Sequence, residues 1–403
     1  MPMTRAVVLG GGGLTGQCTV RDLAHSVEFD SVLAADLDPA LAERARRRAG
    51  GNRVEAAQID VRDRAALIRL LEGASVCVNA VQYAFNLEVM AACRAARIPY
   101  LDFGGLFHMT RRQLELDESY RSEHLLAVPG LGQVPGVSNV LAMEATRDLD
   151  RVDSIIIRDG WIDLTHNGPE VLFTWSPSTF LDEMILPAVI YENGAYRDYP
   201  PMSGAEVYAF APPVGAVKVY RTLHSEPATL PESLRDKGLR HCEWKEGGPG
   251  IDLLRIMALL GLASDAPLVV GGQSVRPREF LLALLRREKL LGVPEGVTVE
   301  DAEVCDLEIH GSTGGVAVER HAVARFPARP DWGLTATEYA VGVAGAIGAE
   351  FIVRGDIQGW GVLPPERCVP GSSFRTALER RGIESAITPP EAPLGPYGRP
   401  APR

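Results

Sequence analysis

The stretch Gly11-Gly12-Gly13-Leu14-Thr15-Gly16 constrains this chain more than any other. It follows an apolar run, Ala6 to Leu9, and opens a helical pattern, which puts the glycines in a strand-to-helix turn. In such a turn Gly11 permits the tight reversal, Gly13 lets a ligand approach the backbone, and Gly16 lets the helix pack on the strand. The amides around Leu14 and Thr15 then point at an anion such as a pyrophosphate. A second β-rich run ends at Asp36, about twenty residues on, where a carboxylate can accept hydrogen bonds from both ribose hydroxyls. Its neighbours Leu37 and Asp38 offer no cation to a 2'-phosphate, so the spacing predicts NAD rather than NADP. The competing reading is a tight turn with no ligand.

Short β-rich runs alternate with helical stretches up to about residue 130: Ala6 to Leu9, Ser31 to Ala35, Glu55 to Ile59, Ser75 to Ala80, Tyr100 to Phe103 and Leu126 to Pro129. That rhythm predicts an α/β fold, a Rossmann doubly wound parallel sheet whose ligand crevice lies at the carboxyl ends of the strands. Strand ends therefore supply further candidates. Asp60-Val61 could meet adenine, with a turn or capping acid as the alternative, and Asn79-Ala80 could meet the nicotinamide ribose.

After Pro135 the segments lengthen. Ser154 to Arg158 reads as a strand, and Glu303 to Gly311 with Gly315 to Phe326 reads as a hairpin turned by Ser312-Thr313-Gly314. The periodicity of Ile251 to Leu262 and Phe280 to Leu291 predicts core-packing helices. Thr337 to Val353 reads as a helix striped by Gly342, Gly345 and Gly348, which invites close approach by another element; it reads as too short to span a bilayer. The boundaries expected are a nucleotide-binding domain at 1–133, an inserted mixed α/β substrate and dimerisation domain at 134–334, and a C-terminal segment at 335–387 returning to the first. The Pro-rich stretch 388–403 reads as a disordered tail.

A formal charge of -11 disfavours nucleic acid and anionic membranes as partners. The N-terminus lacks a secretory pattern, which makes the cytoplasm the expected compartment. The six cysteines show no paired spacing and read as buried thiols, with no metal implied.

Taken together, Gly11 to Gly16, Val78-Asn79-Ala80 with Tyr83 and Asn86, Asp102-Phe103-Gly104-Gly105, Pro129-Gly130-Leu131-Gly132 running into Pro135-Gly136-Val137 with Asn139, and Gly361 to Glu366 carry a resemblance. The chain resembles the saccharopine dehydrogenase family, and within it the bacterial L-lysine 6-dehydrogenases. The resemblance implies pyridine-nucleotide oxidation of a carbon-nitrogen bond, a lysine-like amine as substrate and a homodimer. It departs in the second domain, where His224 to Pro231 only loosely matches.

Hydride removal beside an amine requires the amine to be neutral, so a base must take a proton. Asp102, ending the fifth strand before a Gly-Gly pair, is a candidate catalytic and substrate-binding acid, with a structural aspartate as the alternative. His224 and Glu226, read as alternate residues of an extended chain, could form a base and ammonium anchor, with Thr229 on the same wall. Tyr83 could cover the nicotinamide or belong to the core. Gly136 and Val137 should meet the nicotinamide through backbone at the domain junction. Three alternatives stay open: a secondary-amine reductase of the saccharopine or carboxynorspermidine kind, an epimerase that keeps its NAD, and a nucleotide-sensing protein without chemistry.

Overall fold

The computed structural model describes residues 3–165, 173, 176–293 and 296–388. Eighteen strands follow along these residues. The first six are β1 (Arg5–Leu9), β2 (Ser31–Asp36), β3 (Val54–Gln58), β4 (Val76–Asn79), β5 (Tyr100–Asp102) and β6 (Leu126–Val128). Then come β7 (Arg151–Asp163), β8 (Ala188–Glu192), β9 (Ala195–Tyr199), β10 (Ser203–Ala209), β11 (Ala216–Arg221) and β12 (His241–Gly247). The last are β13 (Leu268–Val270), β14 (Gln273–Val275), β15 (Asp301–Thr313), β16 (Val316–Pro327), β17 (Gly361–Val362) and β18 (Glu384–Ile387).

The first sheet is parallel and runs β17-β6-β5-β4-β1-β2-β3. Its central strands are continuous apolar runs because helices cover both faces, as a doubly wound sheet requires. The six strands expected from sequence are present, and β17 adds a seventh beside β6. Two residues of Gly-Val are too short a run to read as a strand without the partner that fixes them.

The second sheet is mixed, in the order β10-β11-β12-β7-β15-β16-β18, with β8 also paired to β12 and β9 to β8. Here β7 extends from Arg151 to Asp163, well past the expected end at Arg158. The hairpin of β15 and β16 turns at Gly314-Gly315, both at positive φ, while Ser312 and Thr313 continue the strand. The helices at Ile251–Leu259 and Pro277–Arg287 bury only part of their apolar residues, and Leu259, Leu260 and Phe280 are exposed. Of the expected tail, Thr388 bonds to His321, and 389–403 lie outside the described residues.

The helix Ala336–Arg354 ties the two sheets together. Thr335 caps it and Glu338 completes a capping box, while Gly355 at φ +81° ends it. A Cβ added at Gly342, Gly345 or Gly348 would lie 2.5, 2.2 and 2.4 Å from Cys18, Phe103 and Leu131, so the stripe does admit the nucleotide-domain helix and the β5 and β6 ends. By length and composition this helix could cross a membrane, contrary to the expectation that it is too short, yet 78% of its apolar window is buried inside the protein. At its start, the Ala336 amide donates to Asp301 at 3.0 Å and the Thr337 hydroxyl to Glu303 at 2.8 Å, both on β15.

Burial pushes the Asp301 carboxyl up to about 7 and the Glu338 carboxyl up to about 8. The folded state thus holds protons that an unfolded chain, with carboxyls near their ordinary values of about 4, has already released. Between about pH 4 and pH 8 the unfolded state binds fewer protons, so stability falls as pH rises. Urea unfolding of the cofactor-free protein should show a lower midpoint at about pH 8 than at about pH 5.5. Glu338→Gln, which keeps the capping acceptor, should reduce that slope.

Candidate active site

The first loop has the shape of a dinucleotide cradle. A Cβ at Gly16 would lie 2.2 Å from the Gly10 carbonyl oxygen, and one at Gly11 would lie 3.0 Å from Ala34 Cα, so both positions demand glycine. Gly13 differs, since its added Cβ would meet only the Gly10 oxygen at 3.1 Å and is otherwise clear. The first turn of the helix Gly16–His25 carries no acidic residue, and Thr15 lines the adjoining cavity. Asp36 accepts the Gly12 amide at 3.0 Å and the Asp38 amide at 3.1 Å, which fixes its carboxylate at the loop edge. Leu14 points away, toward Gly292. This donor set and clearance fit the phosphates and ribose of a dinucleotide.

Other expected contacts prove to be supports. Asp60 holds its own loop by accepting the Arg62 amide and guanidinium, which keep its carboxyl at about 2, and Val61 packs against the apolar layer. Neither lines the cavity. Asn79 is buried, donating to Asn86 at 2.9 Å and to the Tyr100 hydroxyl at 3.1 Å, whereas Ala80 does line the cavity. Gly136 and Val137 sit behind it. At φ +128° Gly136 presses on Gly132, and the cavity wall there is Gln133, Val134 and Pro135.

Asp102 is not placed for catalysis. It is 1% exposed, and its two oxygens accept five donors: the Tyr100 hydroxyl at 2.6 Å, Gln113 at 2.6 Å, Asn86 at 3.1 Å, and the amides of Gly104 at 2.8 Å and Gly130 at 2.7 Å. Burial raises its pKa and these bonds oppose the rise. A carboxylate so saturated has no lone pair to offer; it fixes the loops after β5 and β6 instead.

His224 and Glu226 do meet, but not along an extended chain. Ser225 precedes the helix Glu226–Ser233 without a side-chain capping bond, and Pro227 in its first turn is the helix-start signal that was present in the sequence. The fully buried Glu226 bonds His224 Nδ1 through one oxygen and accepts the Ser138 hydroxyl at 2.7 Å through the other. The His224 ring stacks on Trp244, centroids 3.8 Å apart and planes 9° from parallel. Its Nε2 makes no hydrogen bond among the described residues, and His224 lines the cavity. Thr229 lies behind, accepting Asn139 at 3.1 Å within a cluster that includes Glu366. Tyr83 lines the cavity, its hydroxyl donating to Asp182 at 2.8 Å across the two domains.

The cavity has a volume of about 320 Å³. Its far wall was not anticipated. Along one face of β7 the residues Ile155 and Ile157 belong to the apolar core, but the same face continues as Asp159, Trp161 and Asp163. On β12 the sequence Cys242, Trp244, Glu246 makes the same change, and on β15 Leu307 and Cys305 give way to Glu303 and Asp301. Register places Asp159 beside Glu246. Glu183 joins them from the helix Pro177–Ile185. Asp159 Oδ1 and Glu183 Oε2 are buried without a hydrogen-bond partner, as are both amide atoms of Gln133. Burial, then the neighbouring carboxylates, pushes the Asp159 and Glu183 carboxyls well up. Alternation along β7 would have put Asp159 and Asp163 on the face of Ile155 and Ile157 had the strand not been read as ending at Arg158.

Residues 6–128 match the saccharopine dehydrogenase NADP binding domain, and residues 132–383 match the saccharopine dehydrogenase C-terminal domain. The chain belongs to the saccharopine dehydrogenase family. Both matched models are saccharopine dehydrogenase domains, the first of them a nicotinamide-nucleotide-binding one. The chain is similar to the carboxynorspermidine synthases of Vibrio alginolyticus and Vibrio cholerae, at 25% and 26% identity over 248 residues, 58% of this chain and 59% of each relative. The match thus spans less than two thirds of those relatives. Among solved structures, the apo saccharopine dehydrogenase (L-Glu forming) of Saccharomyces cerevisiae has the same fold, with a TM-score of 0.73 at 16% identity, covering 96% of this chain and 100% of that one.

Proposed function

We propose that this family member is an NAD-preferring oxidoreductase that oxidises the carbon-nitrogen bond of a small cationic amine to an imine. The observation that carries the reading is His224, its Nδ1 held by Glu226 and its Nε2 unbonded, beside a cavity walled by carboxylates. The nicotinamide, when bound, supplies or accepts the hydride. Glu226 fixes the imidazole tautomer so that Nε2 takes the proton from the substrate ammonium, and stacking on Trp244 fixes the ring plane. Asp159, Glu183, Glu246 and Glu303 hold the positive charge of the amine and of the iminium that follows it.

Asp36 supports the NAD preference, because its carboxylate would face a 2'-phosphate dianion. Titration calorimetry should find NADH at least about tenfold tighter than NADPH, and Asp36→Ala should narrow the gap. Tighter NADPH binding by the unaltered protein would refute the preference.

A second reading is favoured by the two synthase relatives: the reverse sense, in which an amine and an aldehyde condense and the imine is reduced to a secondary amine. Both are tested by offering amines with NAD, and amines plus aldehydes with NADH, while following the reduced cofactor and identifying products by mass. Net NADH formation supports oxidation and net consumption supports reduction. Tight nucleotide binding with no redox change under either condition would reject both.

A further inference from the structure

Taking the cavity as the substrate site, as the proposed function does, we infer that its substrate is a carboxylate-free diamine rather than an α-amino acid. Six acids line the cavity, Asp159, Asp163, Glu183, Glu246, Asp301 and Glu303, and none forms an ion pair with Lys or Arg among the described residues. On the opposite face of the same sheet the pattern is reversed. There Arg158 pairs with Glu206 and Glu308, and Arg221 pairs with Glu243. Acids facing away from the cavity are neutralised within the protein, and those facing into it are not.

The two orphaned oxygens, Asp159 Oδ1 and Glu183 Oε2, come from different elements, a strand of the second sheet and the helix Pro177–Ile185. Buried acceptors without donors are costly, so a ligand that brings N–H donors repays that cost. Acceptors on two separate elements suit a ligand that brings more than one N–H group, as a diamine does. Between the acids the lining is apolar and aromatic, with Trp161, Phe173, Phe180, Leu253 and Leu254, a surface suited to a methylene chain.

A substrate carboxylate has no matching partner. No Lys or Arg lines the cavity among the described residues, and from Asp159 to Tyr196 the sequence contains neither. An α-carboxylate would find no Lys or Arg among these six acids, whereas an ammonium group opposes the upward push on Asp159 and Glu183 and favours their charged form.

The test compares ligands differing only by that carboxylate. The NADH-saturated full chain is titrated calorimetrically with cadaverine and L-lysine, then with putrescine and L-ornithine. Each diamine is expected to bind at least tenfold tighter than its amino acid. Glu183→Gln and Asp159→Asn should each weaken the diamine about tenfold while leaving NADH affinity unchanged, the latter serving as the check on folding. Amino acids binding as tightly as the diamines, or variants that keep full diamine affinity, would overturn the inference. Diamine preference without turnover supports this inference while counting against the proposed reaction. Turnover of L-lysine in preference to cadaverine refutes the diamine and leaves the carbon-nitrogen oxidoreductase standing.

Discussion

His224→Ala is expected to lower kcat by about 10²–10⁴-fold, the range general-base removal ordinarily produces, with NADH affinity retained. The separation follows from position. His224 reaches the cavity through the second domain and is held by Trp244 and by Glu226, which Ser138 holds in turn, whereas the nucleotide cradle is built from the first loop and Asp36. Removing the imidazole leaves Glu226 buried with one partner fewer, so a loss of stability is expected too, and rates should be compared well below the unfolding midpoint. The more telling variant is Glu226→Gln. It preserves shape while removing the charge that supports an imidazolium, so it should depress the rate less than His224→Ala. Equal rates for unaltered and His224→Ala protein would remove His224 from the chemistry.

Asp102→Ala is expected to cost about 3 kcal/mol of stability or more, because buried donors on Tyr100, Gln113, Asn86, Gly104 and Gly130 all lose their acceptor at once. Urea unfolding measures this directly. Asp102→Asn keeps the volume but presents a donor amide to groups that are themselves donors, and should also destabilise by a similar order. A structural role and a catalytic one part company in the pH profile. The folded fraction of Asp102→Asn should keep the parental pH dependence of kcat/KM, while a catalytic aspartate would take one limb of the profile with it.

The cradle and the parallel sheet were legible because their causes are local. Gly11, Gly13 and Gly16 answer to contacts within a few residues, and the continuous apolar strands answer to having both faces covered. Asp36 was legible for the same reason, as a strand end at fixed spacing. Asp60, Asn79 and Asp102 also end loops or strands of that sheet, but spacing cannot say whether a strand-end polar group faces the crevice or braces its neighbours. Asp60 is taken by Arg62 and Asp102 by five donors drawn from β5 and from residues up to 28 positions away.

The sequence by itself determined a nicotinamide-binding sheet, a second mixed domain and the meeting of His224 with Glu226. Only the tertiary structure decided which polar groups are spent inside the protein and which are left to a ligand. Whether a carboxylate is saturated depends on donors brought in from distant strands and helices. The acidic wall of Asp159, Glu183, Glu246 and Glu303 comes from three strands and a helix separated by up to 144 positions, and no local pattern announces that their faces converge.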